Sequence, residues 1–252
     1  MPGLDPGIHV FLCSLLEKDV DGRDTRLRFS FAGSSVLVRR SLGEGGSPAM
    51  TMGHGMPVIY YIRHGETDWN AEGKLQGAQD IPLNDLGRRQ AIRSGVILAD
   101  LFAREGRGEA SLAFVTSPLV RARATMELVR GSLKLPSDQY AIDDRLREIA
   151  YGQWEGSTLP QMQEKDPALF AWRQADKWRV SPPGGESYVA VQARVTDWYS
   201  QLTEDTVVVA HGGTARALMV ALGIETPDSA ADLTIEQGAV YVFADGGLSK
   251  YS

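Results

Sequence analysis

The fold of this chain is most tightly constrained by a run of apolar and aromatic residues that stops at an arginine, a histidine and a glycine. The run comprises Val58, Ile59, Tyr60, Tyr61 and Ile62, and it is followed by Arg63, His64 and Gly65. Because its apolar side chains do not alternate with polar ones, the run predicts a strand buried on both faces, as in a parallel sheet. Gly65 lets the backbone turn tightly or approach a ligand. Arg63 and His64 thus lie at a strand end, where open α/β sheets bind ligands, although the tripeptide alone is more typical of an ordinary polar turn.

Three further apolar runs have the length and composition of strands. They cover residues 112–116, 206–210 and 238–243, and the second of them ends in His211 and two glycines. Helical patterns separate these runs along the chain. Strands that alternate with helices predict one three-layer α/β/α domain with a mainly parallel central sheet.

Capping residues set the expected limits of the helices. Asn84 predicts the N-cap of a helix that ends near Arg104, and Ser117 predicts the N-cap of one that Gly131 closes. The first helix is expected to bury a stripe formed by Leu86, Ala91, Val96, Leu98, Leu101 and Phe102. Further helices are expected over residues 158–178 in two pieces, 187–201 and 214–223. Residues 146–156 are expected to be part strand and part glycine-rich loop.

The first 56 residues differ in character from the rest of the chain. Turn signals such as Gly43 to Pro48 separate short apolar pieces, and residues 26–40 have only the alternation of a weak hairpin. We therefore predict that residues 1–56 form a disordered extension or reflect an upstream start site, and that the working domain spans residues 57–252. His54 and Gly55 repeat the His-Gly pair here without a strand before it.

Composition narrows the partners of the protein. The chain has 252 residues and a net charge of −6, so it offers no general attraction to nucleic acid or anionic membranes. It contains one cysteine, Cys13, which excludes an internal disulfide and a cysteine-rich metal site. No stretch has the length and apolar character of a membrane span or a signal peptide. We expect a cytoplasmic protein with neither a nucleic-acid nor a membrane partner, and the oligomeric state stays open.

Polar residues at three strand ends point to an anionic substrate. Arg63 and His64 follow the first strand, Arg121 comes just after the second, and His211 follows the third. Because strand ends of a parallel sheet meet at one crevice, these four side chains are expected to converge. Two guanidinium groups suit a phosphate dianion best, and the backbone amides at Gly212 add further donors for it.

A histidine beside two arginines has a lowered pKa and a free ring nitrogen, so His64 can act as a nucleophile through a phosphohistidine. A leaving alkoxide also needs a proton, and Glu148 is the best candidate donor, although spacing alone favours a solvated glutamate there. The chain has no P-loop signature and no Gly-x-Ser-x-Gly elbow. Its four histidines form no convincing metal cluster. Phosphoryl transfer without a metal or a cofactor is the chemistry that remains.

These residues resemble the motifs of the histidine phosphatase superfamily, also called the phosphoglycerate mutase-like family. Its Arg-His-Gly-Glu-Thr signature matches Arg63 to Thr67, and residues 116–122 resemble its second arginine motif. Leu146 to Gly156 matches the acid motif, and Pro-Gly-Gly-Glu-Ser187 and Val-Ala-His211-Gly complete the series. The motifs follow one another in family order from about residue 57 to residue 245.

The resemblance implies a phosphoglycerate mutase-like fold and a set of roles. It implies that His64 takes the phosphoryl group and that Glu148, against the interpretation from spacing alone, donates the proton. It further implies that Arg63, Arg121 and His211 hold the phosphate and that Asn70 orients it. Gln76, Gly77 and Gly212 are expected to line the pocket.

Within this family, the sequence favours a phosphatase acting on a small phosphorylated molecule. Mutases follow their acid-motif glutamate with Arg-His-Tyr, whereas Ile149, Ala150 and Tyr151 follow Glu148 here. The stretch to Gly184 is also shorter than the mutase insertion. A mutase dependent on 2,3-bisphosphoglycerate, a phosphohistidine-protein phosphatase and a non-catalytic phospho-ligand binder remain as alternatives. The spacing of aromatic and basic residues over 158–178 is more typical of a packed amphipathic helix than of a binding device. Trp172, Arg173, Trp178 and Arg179 are the lid positions to test for substrate selection.

Overall fold

A computed structural model describes residues 56–108 and 112–252. The predicted hairpin over residues 26–40, the predicted disordered extension and the second His-Gly pair at His54 lie outside the described residues. The proposed domain boundary between residues 56 and 57 therefore stays a prediction. The first described element begins at Ile59.

A six-stranded sheet forms the centre of the domain, in the order β3-β2-β4-β1-β5-β6. The strands are β1 Ile59–Arg63, β2 Ala113–Thr116, β3 Ala141–Ile142, β4 Thr206–Ala210, β5 Val240–Ala244 and β6 Gly247–Tyr251. Strands β3, β2, β4 and β1 are parallel, whereas β5 and β6 are antiparallel additions at one side. The prediction of a mainly parallel sheet is confirmed. Strands β3 and β6 were not predicted from the sequence.

Helices cover both faces of the sheet. They are α1 Asp68–Ala71, α2 Asp85–Glu105, α3 Val120–Ser132, α4 Leu159–Lys165, α5 Pro167–Ala175, α6 Tyr188–Ser200, α7 Gly212–Ala221 and α8 Pro227–Ala230. Tyr60 and Ile62 of β1 pack on the side of α2 and α3. Ile59 and Tyr61 pack on the opposite side, with α6 and α7. Strand β1 is therefore buried on both faces, and the predicted three layers are present.

The helix α2 begins and ends as its capping residues predict. The side chain of Asn84 accepts a hydrogen bond from the backbone N–H of Gly87 at 2.8 Å. At the other end, Gly106 adopts a left-handed conformation with φ 63°. The predicted apolar stripe is partly wrong, because Leu86 and Val96 are 41% and 58% exposed. Small residues replace them in the buried face, where α2 and α3 pack closely.

The predicted limits of two helices and one predicted strand are wrong. Helix α3 begins at Val120 rather than Pro118, and it runs through Gly131 to Ser132. Helix α7 begins at Gly212 rather than Thr214. Residues 146–156 contain no strand; two 3-10 turns, Asp144–Leu146 and Gly152–Trp154, flank an extended segment. At the starts of α3 and α7, backbone N–H groups donate to side chains distant in sequence, Val120 to Asp80 and Gly213 to Glu148, which local patterns do not record.

No helix within residues 56–108 and 112–252 is long and apolar enough to cross a membrane.

Candidate active site

The ends of β1, β2 and β4 lie side by side at one edge of the sheet. Arg63 is in register with Ala210, and Thr116 is in register with Val209. The backbone N–H of His64 donates to Ala210 at 2.9 Å, and that of Ser117 donates to Val209 at 3.1 Å. The residues that follow these strands therefore leave the sheet at the same level, and the predicted convergence is present.

His64 is held in one tautomer. Its Nδ1 lies 2.7 Å from the carbonyl oxygen of Gly65. Because a carbonyl only accepts hydrogen bonds, Nδ1 carries the proton and Nε2 keeps a lone pair. The Nε of Arg121 donates to that lone pair at 3.3 Å. Burial, and then the charges of Arg121 and Arg63, hold the pKa of His64 well below its usual value, so the ring is neutral.

Arg121 is fixed by carbonyl groups of the loop before α2. Its two terminal nitrogens donate to Gln79 at 2.6 Å and to Gly77 at 2.9 Å. The side chain is fully buried. Burial lowers the pKa of Arg121 to about 10, which leaves the guanidinium charged at neutral pH. In the same loop, Oε1 of Gln76 is buried and has no hydrogen-bond partner among the described residues.

Arg63 and His211 each have one buried nitrogen without a hydrogen-bond partner in the described part of the chain. These atoms are Nε of Arg63 and Nδ1 of His211. Their other atoms are anchored, because Arg63 donates to the carbonyl of Ile235 at 2.7 Å and His211 Nε2 lies 2.7 Å from the Ser117 hydroxyl. The His64 and His211 rings lie 5.0 Å apart. Burial, followed by the Arg121 charge, lowers the pKa of His211 as well. Unsatisfied polar nitrogens next to two cations suit an oxyanion.

Tyr61 holds the turn that carries His211, a role that sequence analysis did not predict. Its hydroxyl donates to the carbonyl of His211 at 2.6 Å and lies 2.6 Å from the Thr214 hydroxyl. The backbone N–H of His211 donates to the same Tyr61 oxygen at 3.1 Å. The hydroxyl of a tyrosine in a fully buried strand needs a hydrogen-bond partner, and this requirement was the sequence signal for a structural role of Tyr61.

Glu148 contacts the first turn of α7. Its Oε1 accepts hydrogen bonds from the backbone N–H groups of Gly213 at 3.0 Å and Ile149 at 2.9 Å. A Cβ atom at position 213 would lie only 2.3 Å from that oxygen, so the approach requires a glycine. Glu148 is thus half-buried beside the strand ends and is not the freely solvated glutamate that spacing alone suggests.

An ion pair that sequence analysis missed supports the Glu148 segment. Arg194 of α6 donates to the carbonyls of Arg145 at 2.6 Å and Glu148 at 3.3 Å. The same guanidinium pairs with Glu186, whose Oε2 also accepts from the backbone N–H of Ala150 at 2.9 Å. Glu186 belongs to the Pro-Gly-Gly-Glu-Ser motif, and this position was the only sequence signal that it takes part in such an ion pair.

The remaining predicted pocket residues lie around this centre. The side-chain oxygen of Asn70 accepts from Thr67 and from Gln237, at 3.2 and 3.1 Å. Its amide nitrogen is therefore the atom that can donate to a ligand. Gly212 is the first residue of α7, and a Cβ there would lie 3.7 Å from Nε of Arg63. These placements fit the predicted positions, and the roles of the residues stay predictions.

The four residues predicted as a lid lie in different surroundings. Trp178 is 4% exposed and stacks on Tyr188 with ring centroids 4.9 Å apart, so it belongs to the core. Arg179 is exposed and pairs with Asp176, and Trp172 is 65% exposed. Arg173 alone of the four lines a cavity of about 200 Å³ between α4, α5 and α7. The prediction is therefore wrong for Trp178, and it stays a prediction for the other three residues.

Within the described residues, no three His, Cys, Asp or Glu side chains are grouped so that they could hold a metal ion. The chemistry that the arrangement offers on its own is that of a neutral imidazole, one buried and one half-buried guanidinium group, a second imidazole and a carboxylate. These groups can bind a phosphate, attack it and protonate a leaving oxygen.

Comparison with known proteins supplies the family context. The model of the histidine phosphatase superfamily (branch 1) matches residues 59–246. A 2,3-bisphosphoglycerate-dependent phosphoglycerate mutase of Beijerinckia indica is 30% identical over 195 residues of alignment, and the match covers 74% of this chain and 90% of the mutase. A glucosyl-3-phosphoglycerate phosphatase of Mycolicibacterium vanbaalenii is 37% identical over 177 residues of alignment, and the match covers 65% of this chain and 73% of that phosphatase.

A solved structure gives the same picture at the level of the fold. The mycobacterial glucosyl-3-phosphoglycerate phosphatase in complex with VO3 superposes with a TM-score of 0.61 and 30% identity. The superposition covers 74% of this chain and 92% of that phosphatase. Similar proteins thus include both phosphatases and mutases.

Proposed function

The chain belongs to the histidine phosphatase superfamily, and from this premise we propose that it is a metal-independent phosphomonoester phosphatase with His64 as its nucleophile. We further propose that residues 57–252 form the catalytic domain, since the family match begins at residue 59. Its substrate is a small phosphorylated molecule.

The observation that carries this proposal is the fixed tautomer of His64. The ring donates through Nδ1 to Gly65 and faces Arg121 with the Nε2 lone pair. Nε2 attacks phosphorus, a bond from nitrogen to phosphorus forms, and the ester bond to the leaving oxygen breaks. The ring gains a positive charge in this step, and the Gly65 carbonyl stabilises the Nδ1 proton.

Glu148 in its acid form gives its proton to the leaving alkoxide. The resulting carboxylate then takes a proton from water as that water attacks the phosphohistidine. The bond between nitrogen and phosphorus breaks, phosphate leaves, and both His64 and Glu148 return to their initial forms. The two amides that bind Oε1 of Glu148 keep its carboxyl group oriented throughout this cycle.

Arg63, Arg121 and His211 stabilise the charge on the phosphoryl oxygens. Arg121 is fully buried, and Arg63 is half-buried with its Nε shielded from solvent, so little water screens their attraction for a dianion. The unsatisfied nitrogens of Arg63 and His211 supply further donors. Burial keeps His64 neutral, as a nucleophile must be.

The position after the acid residue supports hydrolysis over mutase chemistry. Ile149 is fully buried in the core on the α6 and α7 side of the sheet. It therefore supplies no basic ligand where mutases carry an arginine. A mutase remains the second candidate, because mutase relatives match most of this chain and because basic residues line the neighbouring cavity. The mutase would be favoured if the protein interconverted phosphoglycerates and if 2,3-bisphosphoglycerate stimulated this reaction.

The test is a panel of phosphomonoesters given to the wild-type protein and to His64→Ala. We expect turnover of at least one ester by the wild type and a loss on the order of 10⁴-fold in the variant, since the nucleophile is gone. A labelled substrate quenched rapidly in alkaline denaturant, where phosphohistidine survives, traps the covalent intermediate in the wild type alone. An active protein without this intermediate contradicts the mechanism, and equal activity in both proteins contradicts the catalytic role of His64.

A further inference from the structure

The His211 ring carries a proton whose position the proposed function requires but does not explain. The ring is fully buried, and its two nitrogens have different surroundings. Nε2 lies 2.7 Å from the Ser117 hydroxyl, whereas Nδ1 has no hydrogen-bond partner in the described part of the chain. Burial, followed by the charge of Arg121, lowers the pKa of His211, so the ring is neutral and holds a single proton. Phosphate binding then depends on which nitrogen holds that proton.

The Ser117 hydroxyl has one place for its own proton. The side chain is fully buried, and its oxygen accepts a long hydrogen bond from the backbone N–H of Leu119 at 3.4 Å. The hydroxyl proton needs an acceptor, because a buried donor without a partner costs free energy. Among the described residues, Nε2 of His211 is the only acceptor in contact with it. Ser117 therefore donates to Nε2, which has to present a lone pair.

This hydrogen bond decides the tautomer of His211. Because the Ser117 proton occupies the lone pair of Nε2, the proton of the neutral ring lies on Nδ1. Nδ1 is also the nitrogen that lacks a partner within the described residues, so it is available to a ligand. As an N–H group it donates to a phosphoryl oxygen, whereas a lone pair in the same place would repel that oxygen.

The two histidines of the site are thus set by opposite means. The carbonyl of Gly65 accepts the Nδ1 proton of His64, which leaves the Nε2 lone pair for attack on phosphorus. The hydroxyl of Ser117 instead donates to Nε2 of His211, which leaves an N–H at Nδ1. One neutral ring becomes a nucleophile and the other becomes a donor to the phosphoryl group.

The backbone on both sides of this contact is held without the Ser117 hydroxyl. The backbone N–H of Ser117 donates to the carbonyl of Val209 at 3.1 Å. The Tyr61 hydroxyl donates to the carbonyl of His211 and accepts from its backbone N–H. Loss of the Ser117 hydroxyl alone leaves all three of these bonds in place, so its effect on the ring can be measured in a folded site.

We propose that Ser117 is a positioning residue whose hydroxyl holds His211 in the tautomer with the proton on Nδ1, so that the ring donates to the phosphoryl group. The inference rests on the proposed function, because it gives the Nδ1 proton a part in binding the transferred phosphate. Ser117 acts through His211 and does not itself contact the substrate.

Nitrogen NMR of isotope-labelled histidine in the full chain reports the tautomer directly, and comparison with His211→Gln assigns the signals of this ring. We expect the wild type to carry the proton on Nδ1, both alone and with inorganic phosphate. In Ser117→Ala without phosphate, nothing keeps the proton off Nε2, so we expect both tautomers to be populated. A wild-type ring with its proton on Nε2 overturns the proposal, and so does an unchanged tautomer in Ser117→Ala.

Kinetics and calorimetric titration with inorganic phosphate test the consequence. Removal of a whole oxyanion donor typically costs about 10²- to 10³-fold in rate. Because part of the Ser117→Ala population keeps the correct tautomer, we expect a smaller loss, about tenfold in kcat/KM and in phosphate affinity. Wild-type values of both in a folded Ser117→Ala overturn the proposal.

Two further variants separate positioning from packing. Ser117→Thr keeps the hydroxyl and should retain most of the activity. Ser94→Ala is the matched control, because Ser94 is equally buried and its hydroxyl donates to the Gln90 carbonyl within α2 at 3.2 Å. It should leave kcat/KM and the tautomer unchanged. Equal losses in Ser117→Ala and in a folded Ser117→Thr, or in Ser94→Ala, contradict positioning, and thermal unfolding verifies that each variant is folded.

Tautomer and turnover are measured independently, so this inference and the proposed function can fail separately. The phosphatase is contradicted and positioning is supported if the wild type hydrolyses no phosphomonoester, while its Nδ1 proton and its phosphate affinity still depend on Ser117. The phosphatase is supported and positioning is overturned if the wild type turns over esters through phosphohistidine and Ser117→Ala keeps the same tautomer and kcat/KM.

Discussion

The Nε of Arg121 donates to Nε2 of His64 at 3.3 Å, on the side of the imidazole opposite its hydrogen bond to Gly65. An arginine keeps its proton, so this contact leaves the imidazole no place for a second one. The relationship ties together the tautomer, the charge and the burial of the histidine. It also leads to measurable consequences for stability.

Burial of neutral His64 makes the protein lose stability in mild acid. The folded-state pKa of His64 lies below the value of about 6.5 expected in the unfolded chain. Below pH 6.5 the unfolded chain therefore binds a proton that the folded one excludes, and the free energy of unfolding falls by up to about 1.4 kcal/mol per pH unit until the folded-state pKa is reached. Urea unfolding at pH 7.5 and 5.5 measures this loss. His64→Gln is expected to lessen it, and an unchanged loss in that variant contradicts the prediction.

Removal of the proton donor is expected to depend on the leaving group. Glu148→Gln keeps an acceptor for the Gly213 amide but has no acidic proton. We expect kcat to fall about 10²- to 10⁴-fold for alkyl phosphates, whose alkoxide needs protonation, and far less for p-nitrophenyl phosphate. Steady-state kinetics with both ester types provides the measurement. An equal loss with both would assign Glu148 to binding instead of proton transfer.

Gly213→Ala is expected to impair activity through position alone. The added Cβ would lie 2.3 Å from Oε1 of Glu148, so the carboxylate has to move. Because a displacement of about 1 Å near the reacting atoms can cost roughly 10²-fold, we expect a loss of that order in kcat with a folded protein. Gly131→Ala is the control, since a Cβ there meets nothing within 4 Å and the residue lies in α3. It should retain activity and gain about 0.5 kcal/mol in stability. Wild-type kcat in Gly213→Ala would show that the close approach has no catalytic importance.

Arg194 positions Glu148 without touching the phosphate site. Arg194→Lys keeps the charge but loses the forked contacts to Glu186 and to the carbonyls of Arg145 and Glu148. We expect about 1 to 2 kcal/mol less stability, and kcat falling about tenfold more for alkyl phosphates than for p-nitrophenyl phosphate. A uniform loss with both esters would mean that Arg194 supports the fold and not the proton donor. Chemical unfolding and paired kinetics distinguish the two.

Much of the fold could be predicted because its signals are local. The unbroken apolar runs at β1 and β4, the Asn84 cap and the Ser187 cap each depend on residues close together in the chain. The convergence of Arg63, His64, Arg121 and His211 followed from one rule, since parallel strands end at one edge of a sheet. Errors occurred where local patterns compete with tertiary packing. Trp178 was predicted as a lid residue, yet stacking on Tyr188 places it in the core.

The sequence by itself determined the α/β class, the family and the residues available for phosphoryl transfer, because periodicity, caps and motif order are properties of neighbouring residues. Only the tertiary structure decided how those residues meet. Glu148 and Gly213 are 65 positions apart, and their contact at 3.0 Å depends on how the acid segment packs against α7. The support of Glu148 by Arg194 and the stacking of Trp178 on Tyr188 likewise depend on contacts between segments that are apart in sequence. Such contacts leave no local pattern, since the same arginine or glutamate on a helix surface is equally compatible with solvent.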